Sequence, residues 1–83
     1  MGTGILYIIM TVYDLKKGEF GFIIKPQLLN STAKRLLELG LTPKTKIYMI
    51  HKAPFLGPCE IFIRGYFLTL KRISAKNFLI KKG

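Results

Sequence analysis

The sequence contains no tryptophan, one cysteine (Cys59), one histidine (His51) and four carboxylate residues among its 83 positions. Each scarcity removes a class of function. A lone cysteine can form no disulfide within the chain, so nothing here depends on an oxidising compartment. Acid–base and metal sites bring several ionisable or ligating groups to one point, and this chain has few to bring. Long apolar runs are missing too: the longest, residues 4–13 (GILYIIMTVY), has ten residues, against roughly 17–25 for a membrane helix. The start of the chain also lacks the basic residues and small-residue cleavage site of a signal peptide. A membrane span and an exported product are therefore not expected. Positive charge, by contrast, is plentiful. Fourteen Lys and Arg against four Asp and Glu give a net charge of +10, which suits a cytoplasmic protein with anionic partners. A hydrophobic content of 49% is too high for disorder, and the length leaves no room for a second core. One small basic domain is expected, a binding or regulatory protein without catalytic residues or a cofactor.

Met10, followed by Thr-Val-Tyr-Asp-Leu, reads as an internal start. Residues 1–9 are then an N-terminal extension or an added segment, and the domain occupies residues 10–83. Turn signals fall every eight to fifteen residues between short β-branched or aromatic runs, a spacing that suggests a small barrel. Thr11 and Asp14 can cap a single helical turn before Lys16-Lys17-Gly18. A first strand is expected over Glu19 to Lys25, with Gly21 as a bulge or close-approach point and Pro26 as its stop. One helix follows, capped by Asn30 or Ser31, with Ala33, Leu36 and Leu37 facing the core and Gly40 closing it.

The chain then reads as a strand from Thr45 to Lys52, a stiff loop over residues 53–58, and a hairpin. In the hairpin, Glu60 to Arg64 and Tyr66 to Leu70 alternate around Gly65. Ser74-Ala75-Lys76 can form one helical turn. The last strand, Asn77 to Lys81, points either Phe78 and Ile80 inward or Leu79 alone. So small a sheet hides its edges by rolling up. The expected fold is mainly β, a five-stranded SH3-like barrel with one α-helix between the first and second strands.

Four segments together carry a family resemblance: Leu15-x-x-Gly18-x-x-Gly21-x-Ile23; Arg35-Leu36-Leu37-Glu38-Leu39-Gly40-Leu41-Thr42-Pro43; Lys52-Ala53-Pro54; and Ile61-x-Ile63-Arg64-Gly65-Tyr66-x-Leu68-x-Leu70-Lys71 followed by Ala75. Their order and spacing resemble the FeoA family from about Thr11 to the end. The resemblance implies an SH3-like barrel, a cytoplasmic location, and a role in iron homeostasis: transition-metal traffic, and bacterial ferrous iron transport beside the membrane transporter FeoB. Two departures stand out. Lys44 follows Pro43 where the family usually has Gly, so a type II turn there would cost on the order of 1 kcal/mol, or a type I turn would replace it. Gly57 stands where the family's Gly-Asp-Pro loop has its Asp.

His51, Cys59 and Glu60 flank one loop, and a His/Cys/carboxylate metal site can be drawn from them. A closed zinc site needs four ligands and an open one three, so the stronger reading is no metal, with Cys59 a small buried hydrophobe. Ser31 and Ser74 lack the elbow or Gly-rich turn of a nucleophilic site. The more informative pattern is alternation. If Ile47, Met49, Ile61, Ile63, Leu68 and Leu70 point inward, then Lys46, Tyr48, Lys52, Phe62, Arg64, Phe67 and Lys71 point outward. Aromatics and cations interleave there. Phe62, Arg64 and Phe67, with Phe55 and Leu56 on the adjacent loop, are expected to form one partner-binding patch. The competing reading is that Phe62 and Phe67 pair across the hairpin or are covered by Ile5, Leu6, Ile8 and Ile9.

The expected function is a non-enzymatic adaptor or regulator of ferrous iron uptake that docks to a FeoB-like membrane transporter from the cytoplasmic side, with self-association as a second contact. The alternative is a small basic RNA- or DNA-binding barrel. Because the cations are scattered along the chain, nucleic acid is expected to bind weakly and without sequence preference.

Overall fold

The computed structural model describes residues 9–83. Six antiparallel strands form one sheet in the order β1-β6-β2-β3-β4-β5. They are β1 (Met10–Thr11), β2 (Phe20–Pro26), β3 (Lys46–Lys52), β4 (Cys59–Ile63), β5 (Tyr66–Leu70) and β6 (Phe78–Lys82). The expectation of five strands missed β1, whose two residues pair as Met10↔Ile80 and Thr11↔Leu79. Two residues are too few to show a period. The α-helix α1 (Ser31–Glu38) therefore lies between β2 and β3, the second and third strands in chain order. The sheet also stays open where a rolled-up barrel was expected. It ends at β1 and β5, and α2 (Arg72–Asn77) packs against the 3₁₀ turn Val12–Asp14 beside it.

Local chemistry sets these elements. Asp14 accepts hydrogen bonds from the Thr11 backbone N–H at 2.8 Å and the Thr11 hydroxyl at 3.1 Å, holding the single turn. Asn30 is the helix cap, its Oδ1 accepting from the Ala33 N–H at 2.8 Å. Ala33 and Leu36 are buried, while Leu37 is only half-buried and Leu39 lies exposed at the helix end. In the last strand Phe78 and Ile80 point inward, which settles the parity left open by the sequence. The hairpin turn has φ +48° at Arg64 and +89° at Gly65, the signs of a type I′ turn, whose second position suits glycine.

One face of the sheet supports the core. Ile23, Ile47, Met49, Ile61, Ile63, Leu70, Phe78 and Ile80 are buried there with Val12, Leu15, Leu41 and Ala75. Leu68, expected inward, is only partly buried because β5 is an edge strand. No polar or charged residue is buried among the described residues, so the core is held by apolar contact alone. Two bulges bend the sheet: Ile24 interrupts the β2–β6 ladder and Ile50 the β3–β4 ladder.

The turn at Thr42–Thr45 keeps its type II form despite lacking glycine. The Thr45 N–H donates to the Thr42 carbonyl at 3.1 Å, and Lys44 sits at φ +72°. A left-handed conformation costs a side-chain-bearing residue about 1–2 kcal/mol, part of which glycine loses again through its freer unfolded chain. Lys44→Gly is therefore expected to stabilise the domain by about 0.5–1 kcal/mol, read as a higher midpoint in a thermal melt. An unchanged or lower midpoint would show that the lysine side chain contributes more than its backbone costs.

Candidate functional site

Strand register places four aromatic rings in a single row on the face away from the core. Phe20 pairs with Tyr48, Tyr48 with Phe62, and Phe62 with Phe67, one ring from each of β2, β3, β4 and β5. Successive ring centroids lie 5.7, 6.5 and 5.0 Å apart, the last pair edge-on. Phe22 extends the cluster, its ring 6.0 Å from Phe20 and nearly perpendicular to it. Residues opposite one another share a face of the sheet, so these contacts follow from alternation once the register is set.

Cations border the row. Lys46 and Lys81 are the two neighbours of Phe22 in the ladder. The Lys46 ammonium lies 4.4 Å from the Phe20 ring centroid and 5.0 Å from that of Tyr48, within cation–π range. Beside the row an open groove of about 560 Å³ is lined by Pro43, Lys44, Thr45, Lys46, Tyr48, Phe62 and Arg64. A second groove of about 460 Å³ runs past Gly18, Met49 and Ile50 to Phe62 and Phe67. At the β2 end Glu19 accepts from Lys82 Nζ at 2.7 Å and from the Lys16 N–H at 2.7 Å. These two contacts hold its carboxyl below the usual carboxylate range.

The five residues expected in one patch divide into three groups. Phe62 and Phe67 belong to the row; they pair across the hairpin, and Phe67 remains 59% exposed. Arg64 is exposed, but its Nη2 donates to the hydroxyls of Thr42 (3.0 Å) and Thr45 (2.9 Å), with a longer contact from Nε to the Gly40 carbonyl at 3.4 Å. It fastens the hairpin turn to the connection between α1 and β3. Phe55 and Leu56 stand at the opposite end of β4, five residues or about 16 Å from that turn.

Lys52 does not point outward as alternation predicted. The extra residue Ile50 moves it to pair with Cys59, and its ammonium donates to the Tyr13 carbonyl at 2.8 Å. His51 and Glu60 pair on one face of the sheet, while Cys59 is buried on the other. Cys59 is thus separated by the sheet from the other two possible metal ligands, and no group of three or more His, Cys, Asp or Glu converges among the described residues. Burial pushes the Cys59 thiol pKa up, which keeps it protonated and a poor ligand or nucleophile. Of the residues expected to cover the rings, Ile9 is exposed, and Ile5, Leu6 and Ile8 lie outside the described residues.

Sequence reasoning left Phe20, Phe22 and Lys81 out of the site. The signal was present in EFGFIIK: Gly21 and Ile23 are buried, so their neighbours Phe20 and Phe22 face outward.

Comparison with known proteins gives a consistent result. The FeoA domain family matches residues 10–82. No curated protein matches the sequence. Among solved structures, the solution structure of FeoA from Chlorobium tepidum is 26% identical, with a TM-score of 0.80 over 88% of this chain and 70% of that one. FeoA from Stenotrophomonas maltophilia, solved with zinc and put forward as an SH3 domain protein activating ferrous iron transport, is 24% identical. Its TM-score is 0.76 over 87% of this chain and 89% of its own. An iron uptake regulatory protein, also FeoA, is 20% identical with a TM-score of 0.80 over 92% and 99%.

Proposed function

The chain belongs to the FeoA family, and from that premise we propose that it is a non-enzymatic adaptor that regulates ferrous iron uptake by docking to the cytoplasmic side of a FeoB-like transporter. The observation that carries this reading is the aromatic row. A ribbon of rings across four strands, with Tyr48 and Phe67 exposed and Phe20 and Phe62 half-buried, edged by Lys46 and Lys81, has the make-up of an interface: an apolar aromatic centre with a charged rim. The activating role put forward for the Stenotrophomonas relative agrees with it.

The same rings could be read as a stacking platform for single-stranded nucleic acid, but their packing weighs against it. Stacked bases need open ring faces. Here Phe22 meets Phe20, and Phe67 meets Phe62, edge to face, and the Lys46 ammonium lies over Phe20 and Tyr48.

A binding assay against the transporter's cytoplasmic domain tests the proposal. Phe62→Ala with Phe67→Ala is expected to weaken capture by about 2 kcal/mol or more, roughly thirtyfold. Lys34→Ala on the exposed side of α1 should leave it unchanged. No capture by the native chain, together with sub-micromolar, sequence-dependent RNA binding that persists at about 200 mM salt, would replace this reading with the nucleic-acid one.

A further inference from the structure

The loop between β3 and β4 holds two apolar side chains in solvent by a route the chain would not take for packing. The Gly57 N–H donates to the Pro54 carbonyl at 3.2 Å, closing a turn whose central residues are Phe55 at φ +59° and Leu56 at φ +57°. Glycine and asparagine normally fill such positions. Phe55 is 99% exposed and Leu56 67%. The base of the loop is fastened: the Ala53 N–H donates to the Pro58 carbonyl at 2.9 Å and the Tyr13 hydroxyl to the Gly57 carbonyl at 3.0 Å. Two apolar side chains are thus presented on a braced, convex tip.

Cations gather at this end of the sheet. Lys71 and Arg72 follow β5, whose Leu70 pairs with Cys59 at the loop's base. Lys16 and Lys17 precede Gly18, whose N–H donates to the Met49 carbonyl at 2.8 Å. All four are exposed. Of the acidic residues nearby, Asp14 is hydrogen-bonded to Thr11 and Glu19 to Lys82, while Glu60 sits on β4 between His51 and Thr69, one carboxylate against the four cations.

We propose that Phe55 and Leu56 insert into the interfacial layer of a bilayer containing anionic lipid, with Lys16, Lys17, Lys71 and Arg72 meeting the headgroups. A two-residue convex tip offers a protein partner far less than the roughly 800 Å² per side of a stable interface, whereas a bilayer closes around whatever enters it. Apolar insertion and headgroup attraction are each weak alone and suffice together. The proposal goes beyond docking to a transporter, and the vesicle measurements that support it contain no transporter.

The chain has no tryptophan, so Phe55→Trp in the full chain reports on the tip alone. Its emission is expected to shift to shorter wavelength with phosphatidylcholine vesicles containing phosphatidylserine, and to be quenched by lipids brominated on their acyl chains. Pure phosphatidylcholine vesicles should have little effect. The double variant Phe55→Asn, Leu56→Asn is expected to lower sedimentation with the anionic vesicles by about tenfold or more. Its melting temperature should hold or rise, because asparagine tolerates the left-handed backbone. Lys71→Glu with Arg72→Glu should weaken vesicle binding as well. An unshifted Trp emission, vesicle binding that survives the Asn variant, or no preference for anionic lipid would overturn the proposal. So would a steep fall in the Asn variant's melting temperature, which would mean that the tip packs against the chain in solution. If the Asn variant instead lost capture by a transporter domain while the native chain ignored vesicles, the tip would be a protein contact and the proposal would fall.

Discussion

Ile63→Asp is expected to abolish folding. Ile63 is fully buried, opposite Ile47 on β3 and Tyr66 on β5, in a core without a polar partner among the described residues. An unpaired carboxylate placed there costs several kcal/mol, whether it stays charged or takes up a proton. The whole stability of a domain this size is roughly 5–10 kcal/mol. Circular dichroism should show no cooperative melt near neutral pH. Leu68→Asp, on the same hairpin but only partly buried at the sheet edge, should lower the midpoint without erasing the transition. A normal melt for the Ile63 variant would contradict the assigned inner face of β4.

Gly21→Val is expected to be the second most damaging change, for a steric reason. β6 crosses β2 so closely that a β-carbon at position 21 would lie 2.9 Å from the Lys81 carbonyl oxygen and 2.9 Å from Ile80 Cδ1. A side-chain terminus can swing away, but a carbonyl in a strand cannot without breaking the ladder. Overpacking of this kind costs about 1–3 kcal/mol and more where backbone must move, so urea unfolding should show a loss of about 2–4 kcal/mol. Because Gly21 lies between Phe20 and Phe22, the displacement would also disturb the aromatic row. A variant as stable as the native chain would mean that β6 yields at that point.

How far the sequence revealed this molecule depended on the range over which each feature is determined. The β4–β5 hairpin was legible because alternation and the Arg64-Gly65 turn are local, and they fix the register that brings Phe62 to Phe67. The helix was legible from Asn30, Ala33 and Leu36 for the same reason. The sixth strand was not, since Met10 and Thr11 become a strand only by pairing with residues some seventy positions away. Alternation also placed Lys52 wrongly. A bulge leaves no mark in a run such as Met49-Ile50-His51, where every residue fits a strand. Arg64 was read as a partner contact on its exposure and type. Its three acceptors come from the connection between α1 and β3, which no pattern around position 64 could announce. The two left-handed residues at Phe55 and Leu56 opposed their local preferences, and only the three-dimensional loop shows them.

The bulge at Ile50 also acts as a point of curvature. Every other residue of the β3–β4 ladder from Ile47 to Lys52 has its opposite number, and removing Ile50 would leave all of those pairs intact. The ladder does not need this residue; the bend does. Before it, strand β3 contributes to the outer row through Tyr48. After it, the strand turns Lys52 under the Tyr13 carbonyl and braces the end that carries Phe55 and Leu56. One inserted residue thus divides a single strand into two reading frames, the first feeding the ring-lined face and the second the brace at the loop's base.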